Sequence, residues 1–138
     1  MNGSRAEVEL LLKEGKRQEV FKRDQLWEQM RADAVFRGFH EPSPAFDPTF
    51  KFDKWTDTYD TSAKQRVPAW TDRVLYRSPP GLERAIVPTA YTSCPAVRAS
   101  DHKPVAASFD VLVNAEQDRS RALARGGASR GSMACAVM

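Results

Sequence analysis

The chain has 138 residues, a formal net charge of +3, 41% hydrophobic residues and 28% charged residues. This allows one domain, or part of one, with enough apolar material for a core. Most of the charge surplus sits in 114–138, with four cations against two anions, so the body lacks the basic face of a nucleic-acid binder. No run approaches the ~18 apolar residues of a membrane span, and the N-terminus has no apolar leader stretch. The expectation is a cytoplasmic protein that touches a membrane at its periphery.

Val8, Leu11 and Leu12 fall at i, i+3 and i+4 and predict a helix over 5–13, stopped by Gly15. Val20, Leu26, Trp27 and Met30, with Val35 and Phe36 beyond, predict one long helix over 16–35, and Gly38 closes this region. Residues 38–69 carry Pro42, Pro44, Pro48 and Pro68 near their two ends. Between them Thr56, Asp57, Thr58, Asp60, Thr61 and Ser62 favour turns. A segment this long without periodicity is functional or disordered. Phe46, Phe50, Phe52, Trp55 and Tyr59 argue for an ordered loop pinned to a core.

Residues 73–77 read as a strand, with Val74, Leu75 and Tyr76 apolar, and 78–81 as a turn. Residues 85–91 read as a second strand, at an edge because of Pro88. The clearest strand covers 104–113, where Val105, Ala107, Phe109, Val111 and Val113 alternate with smaller or polar residues. From Asn114 the composition shifts to Ala, Arg, Gly and Ser. The chain thus divides into a body, 1–113, and a flexible tail, 114–138.

Asp72 stands at the start of one apolar run, and Asp101-His102 stands just before another. Lys51, Lys64 and Arg66 lie in the loop-like stretch that leads up to Asp72. Two strand edges carrying Asp and Asp-His beneath a basic loop point to metal-assisted chemistry on an anionic, phosphorylated substrate. A carboxylate on one ring nitrogen holds a histidine in one tautomer and frees the other nitrogen for a phosphoryl oxygen. Lysine and arginine suit phosphate oxygens. Six acids share 41–77 with these cations, so composition alone reads the loop as a solvated, charge-balanced face. Arg73 reads as structural. Cys94 and Cys135 form no metal-type spacing, and His40 has no ligand-spaced partner.

Pro68-Ala69-Trp70-Thr71-Asp72-Arg73-Val74-Leu75 and Ser100-Asp101-His102-Lys103-Pro104-Val105 resemble the two C-terminal signatures of the inositol polyphosphate 5-phosphatases. Phe39-His40-Glu41 and Pro48-Thr49-Phe50-Lys51-Phe52-Asp53 resemble the segment just before them. The resemblance covers roughly 5–113. The lead-in Tyr91-Thr92-Ser93-Cys94-Pro95 and the C-terminal Cys are most like the type IV, prenylated branch.

The resemblance implies an α/β fold, the C-terminal half of a DNase-I-like (endonuclease/exonuclease/phosphatase) two-sheet sandwich. It implies Mg²⁺-dependent hydrolysis of the 5-phosphate of phosphoinositide lipids or inositol polyphosphates, with no nucleic acid as partner. Asp72 then pairs with His102, Asp101 lies near the metal and the scissile phosphate, and Lys51, Lys64 and Arg66 grip the substrate, including its 4-phosphate. The family's Mg²⁺-binding Glu, an Asn near it, a further His and its Gly-Asp-x-Asn base motif have no counterpart here, so the main metal ligand is missing. The body is therefore expected to be an incomplete catalytic domain, inactive alone. The alternative is a non-catalytic, prenylated phosphoinositide-binding or regulatory remnant. A nuclease of the same fold fits the basic loop less well. Cys135-Ala136-Val137-Met138 fits the C-terminal prenylation pattern, with Met favouring farnesyl. One prenyl group holds a membrane weakly, and Arg119, Arg121, Arg125 and Arg130 add modest attraction to anionic lipid.

Overall fold

The computed structural model describes residues 1–82, 84–113 and 136–137. Three helices come first: α1 (Arg5–Lys13), α2 (Arg17–Phe21) and α3 (Gln25–Arg31). They are followed by strands β1 (Ile86–Ser93), β2 (Val105–Val111) and β3 (Ala136–Val137). Helix α1 spans the stretch its periodicity predicts. Ser4 caps it by accepting from the Glu7 amide at 3.3 Å. Gly15 ends it in the left-handed region (φ 73) that glycine adopts without a steric penalty.

The single long helix expected over 16–35 is instead two short ones. Asp24 breaks it: its backbone is extended and its carboxylate accepts from the Trp27 amide at 2.9 Å, so it begins a new helix. Val35 and Phe36 do not extend the apolar stripe; they are 37% and 52% exposed.

Strand β2 lies between β1 and β3 in an antiparallel sheet, with Ile86 opposite Val111 and Ser93 opposite Val105. The register slips between Pro88 and Ala90, and Pro88, which has no amide to give, sits on an edge strand. β3 adds Ala136 opposite Ala107 and Val137 opposite Ala106. The strand expected over 73–77 does not form. Only Tyr76 pairs, exchanging hydrogen bonds with His40 at 2.8 and 2.9 Å. Two residues earlier, the Val74 amide goes to the Tyr91 hydroxyl (3.4 Å) rather than to a neighbouring strand. The alternation predicted for β2 holds at its start, where Val105 and Ala107 are each 2% exposed. It fails towards its end, where Val111 and Val113 are 58% and 56% exposed.

The core joins α1 and α2 to the long middle segment and to β2, through Val8, Val20, Phe21, Phe46, Trp70, Val74, Val105 and Ala107. Phe21 meets Trp70 edge-on at 5.4 Å, and the Trp70 indole donates to the Phe46 carbonyl at 3.0 Å. The middle segment is thus an ordered, pinned loop, with Phe46 and Phe52 buried in it. Trp55 is the exception and points to solvent. Among the described residues no helix is long and apolar enough to cross a membrane.

Candidate functional site

The stretch 49–52 stitches the two C-terminal signatures together. Phe50 and Ala69 exchange backbone hydrogen bonds at 3.1 and 2.8 Å. On the other side the Phe52 amide donates to the Asp101 carbonyl, and the Lys103 amide to the Thr49 carbonyl, both at 2.9 Å. This brings residues thirty positions apart together: His102 Nδ1 lies 3.0 Å from Asp72 Oδ2 and 3.1 Å from Oδ1. An ionised carboxylate only accepts, so Nδ1 carries the proton. Thr49 and Thr71 hydroxyls also donate to Asp72, at 2.9 and 3.1 Å, and fix its orientation. The Phe50 ring lies 4.5 Å from the imidazole. Nε2 has no partner among the described residues, and the His102 side chain is 41% exposed.

Asp101, beside this pair, gives its carbonyl to Phe52. Its carboxylate has no partner among the described residues. Those residues contain no group of three or more His, Cys, Asp or Glu able to hold a metal ion. They do not by themselves form the cage that the resemblance calls for, and Asp101 offers one carboxylate toward it.

The three cations differ in their surroundings, and an acid that the sequence reading passed over organises them. Asp60 is fully buried. Its Oδ1 accepts from the Ser62 amide (3.1 Å) and from Lys51 Nζ (3.3 Å), and its Oδ2 from the Arg66 amide (2.9 Å). Hydrogen bonds from Ser62 and the Arg66 amide hold this carboxyl well below the usual carboxylate range, against the opposing pull of burial. Arg5 of α1 clamps the same turn from outside, donating to the Asp60 and Tyr59 carbonyls. Lys51 is therefore already paired. Lys64 and Arg66 are exposed, with no side-chain partner among the described residues. The available signal was Asp60-Thr61-Ser62, an acid followed two residues later by Ser in a run of turn-formers.

Two motif cations are structural. Arg73 forks onto Glu41 at 2.6 and 2.5 Å and reaches Asp24 at 2.7 Å, with all three side chains 5–7% exposed. Burial opposes its charge, but Glu41 and Asp24 more than offset that and hold its pKa above the ordinary value. The Tyr91 hydroxyl donates to Glu41 at 2.8 Å and completes the network. Lys103, 3% exposed, reaches Asp57 at 3.0 Å and the Thr56, Pro95 and Val97 carbonyls at 3.3, 3.1 and 3.2 Å. Cys94 is free and exposed. Cys135 and the tail arginines lie outside the described residues.

The family described as Endonuclease/Exonuclease/phosphatase family 2 matches residues 1–108. The chain is 44% identical over 121 residues to the human phosphatidylinositol polyphosphate 5-phosphatase type IV, covering 86% of this chain and 18% of that protein. It is 42% identical over 118 residues to inositol-1,4,5-trisphosphate 5-phosphatase 1 of Schizosaccharomyces pombe, covering 85% and 10%. The chain therefore spans less than a fifth of the length of these relatives. Among solved structures it is similar to the inositol polyphosphate 5-phosphatase domain of SPsynaptojanin in complex with inositol (1,4)-bisphosphate and calcium ion. That match has TM-score 0.71 and 38% identity, over 91% of this chain and 39% of that one. A ferrous NO complex of Cimex nitrophorin matches with TM-score 0.71 and 34% identity, over 81% and 38%.

Proposed function

We propose, because this chain belongs to the endonuclease/exonuclease/phosphatase family 2 and has inositol polyphosphate 5-phosphatases as its relatives, that it carries the phosphate-gripping part of a phosphoinositide 5-phosphatase. The observation behind this reading is the Asp72–His102 pair, held by residues 49–52 next to the Asp60-clamped basic turn. The fold alone would not carry it, since a protein in a ferrous NO complex has the same scaffold.

In this reading His102 Nε2, when protonated, donates to an oxygen of the 5-phosphate as water attacks phosphorus and the bond to the inositol oxygen breaks. The negative charge that gathers on the phosphoryl oxygens is met by a donor already oriented by Asp72. Lys64 and Arg66, free of partners, grip a neighbouring phosphate such as the 4-phosphate. Lys51 reaches it from the adjoining 49–52 stretch while remaining on Asp60. Mg²⁺, where bound, would neutralise phosphate charge and activate water. Asp101 would offer its unpartnered carboxylate toward the ion, and the described residues do not by themselves complete a site for it. Cys135 would take a farnesyl group and, with the tail arginines, place the protein on a cytoplasmic membrane surface.

A second reading is a prenylated phosphoinositide-binding protein without turnover, which would use the same basic turn around Asp60. Phosphate release from phosphatidylinositol 3,4,5-trisphosphate with Mg²⁺ separates the two. This chain alone should release none. A chimera with residues 5–113 in place of the matching segment of the type IV relative should release phosphate, and His102→Ala should lower that release by about 10²–10⁴-fold. A folded but inert chimera would leave only the binding reading.

A further inference from the structure

Residues 51–60 form a hairpin with two distinct ends. At its base the Asp60 amide donates to the Lys51 carbonyl at 2.9 Å, and the Phe52 and Tyr59 rings stack at 4.4 Å. At its tip stand Lys54, Trp55, Thr56 and Asp57. Trp55 is 74% exposed, and its indole has no hydrogen bond or ring contact among the described residues. Its φ of 69 lies in the left-handed region, where a bulky side chain is an outlier. An unpartnered indole in a disfavoured backbone conformation is not a product of core packing.

The tip cannot withdraw it. The Trp55 amide donates to the Arg98 carbonyl at 2.6 Å, and Lys103 holds the Thr56 carbonyl at 3.3 Å. Asp57 is neutralised from both sides, by Arg98 at 2.5 Å and Lys103 at 3.0 Å. What this end presents is therefore apolar with a cation. Trp55 is joined by Val97, 39% exposed on the turn that holds it, and by the exposed Lys54. An amphipathic ring beside a lysine, with Asp57 paired to two cations and Asp53 turned onto Thr61, matches the boundary of an anionic bilayer.

We infer that Trp55 is an interfacial anchor that seats the hairpin, and with it Lys51 and the neighbouring Asp60 turn, on an anionic lipid surface. This rests on the reading that the substrate is a phosphoinositide headgroup, and it adds a contact with the bilayer that does not involve the phosphates. The Trp55→Gly variant tests it, because glycine accepts the positive φ and removes only the indole.

The full, unprenylated chain is floated with phosphatidylcholine–phosphatidylserine vesicles, with and without phosphatidylinositol 4,5-bisphosphate. Trp55→Gly should bind both vesicle types about tenfold more weakly, the lower end expected for burying a large apolar side chain. Its affinity for soluble inositol 1,4,5-trisphosphate should be unchanged. In the wild type, brominated lipids should quench the component of tryptophan fluorescence that Trp55→Gly removes. A Lys64→Ala/Arg66→Ala double variant should lose only the increment due to the bisphosphate. If that increment persists while Trp55→Gly still weakens binding, the headgroup reading fails and the anchor stands. Equal vesicle binding by wild type and Trp55→Gly, with no quenching, overturns the anchor and leaves a protein as the partner of the indole.

Discussion

Asp72 and Arg73 are consecutive in the chain, yet their side chains serve opposite sides of the molecule. Asp72 meets two hydroxyls and an imidazole whose far nitrogen has no partner among the described residues. Arg73 enters the core and is saturated by two buried carboxylates and the Trp70 carbonyl. Both belong to one sequence signature, and both are charged. The difference lies in unused bonding capacity. The Arg73 network has every strong donor matched, so it holds α3, the 41 region and β1 together. The Asp72 side keeps Nε2 of His102, the Asp101 carboxylate and the Lys64 and Arg66 side chains without partners among the described residues. Groups left unmatched in a half-exposed site are available to a ligand.

The comparison breaks first at its structural end. Arg73→Met should destabilise the fold by about 3–5 kcal/mol, because it leaves Glu41 and Asp24 buried without a counter-charge. Denaturant titration reads this, and a loss under ~1 kcal/mol would show that the network is not structural. His102→Ala should leave that titration nearly unchanged and lower turnover of the chimera by about 10²–10⁴-fold. A large loss of stability instead would move His102 to the structural side.

Asp60 lies between the two regions, a buried acid whose partners carry the candidate ligand-binding turn. Asp60→Asn keeps its shape and removes its charge. Hydrogen exchange at the Ser62 and Arg66 amides should rise, and inositol phosphate binding should fall by more than Lys64→Ala alone produces. The sign with pH follows from its lowered pKa. The contribution of Asp60 is complete above the ordinary aspartate value, about 4, and is lost as pH falls through the lower folded value. Asp60→Asn should lack that acid-side slope in stability. The smallest effect belongs to Lys64→Ala or Arg66→Ala, each weakening inositol phosphate binding about tenfold without moving the melting temperature.

Much of this was legible in the sequence, because it depends on neighbours along the chain. The two signatures and the α1 periodicity are local patterns, and both occur where they were read. The DNase-I-like α/β fold expected from the signatures agrees with the family match and the solved 5-phosphatase domain. What stayed hidden depends on distant partners. Asp24 appeared to be one more charge on a long helix, but Arg73, forty-nine positions on, and its own capping bond make it a break. Lys103 looked like part of an active-site motif, yet carbonyls from two loops bury it. Asp60 carried no special mark among turn-formers until its three donors converged. Trp55 was counted with the pinned aromatics, because composition cannot distinguish an aromatic facing inward from one held outward by its backbone. The strand expected over 73–77 failed because the Val74 amide is taken by a side chain.

The most direct test is an NMR titration of the 138-residue chain with inositol 1,4,5-trisphosphate, following the His102 ring, the amides of 62–66 and the Arg73 Nε–H resonance. The expected result is saturable shifts at His102 and along 62–66 while Arg73 stays fixed. Shifts centred on Arg73 and Glu41, or none at His102 at saturating ligand, would contradict the division of labour between these two neighbouring residues.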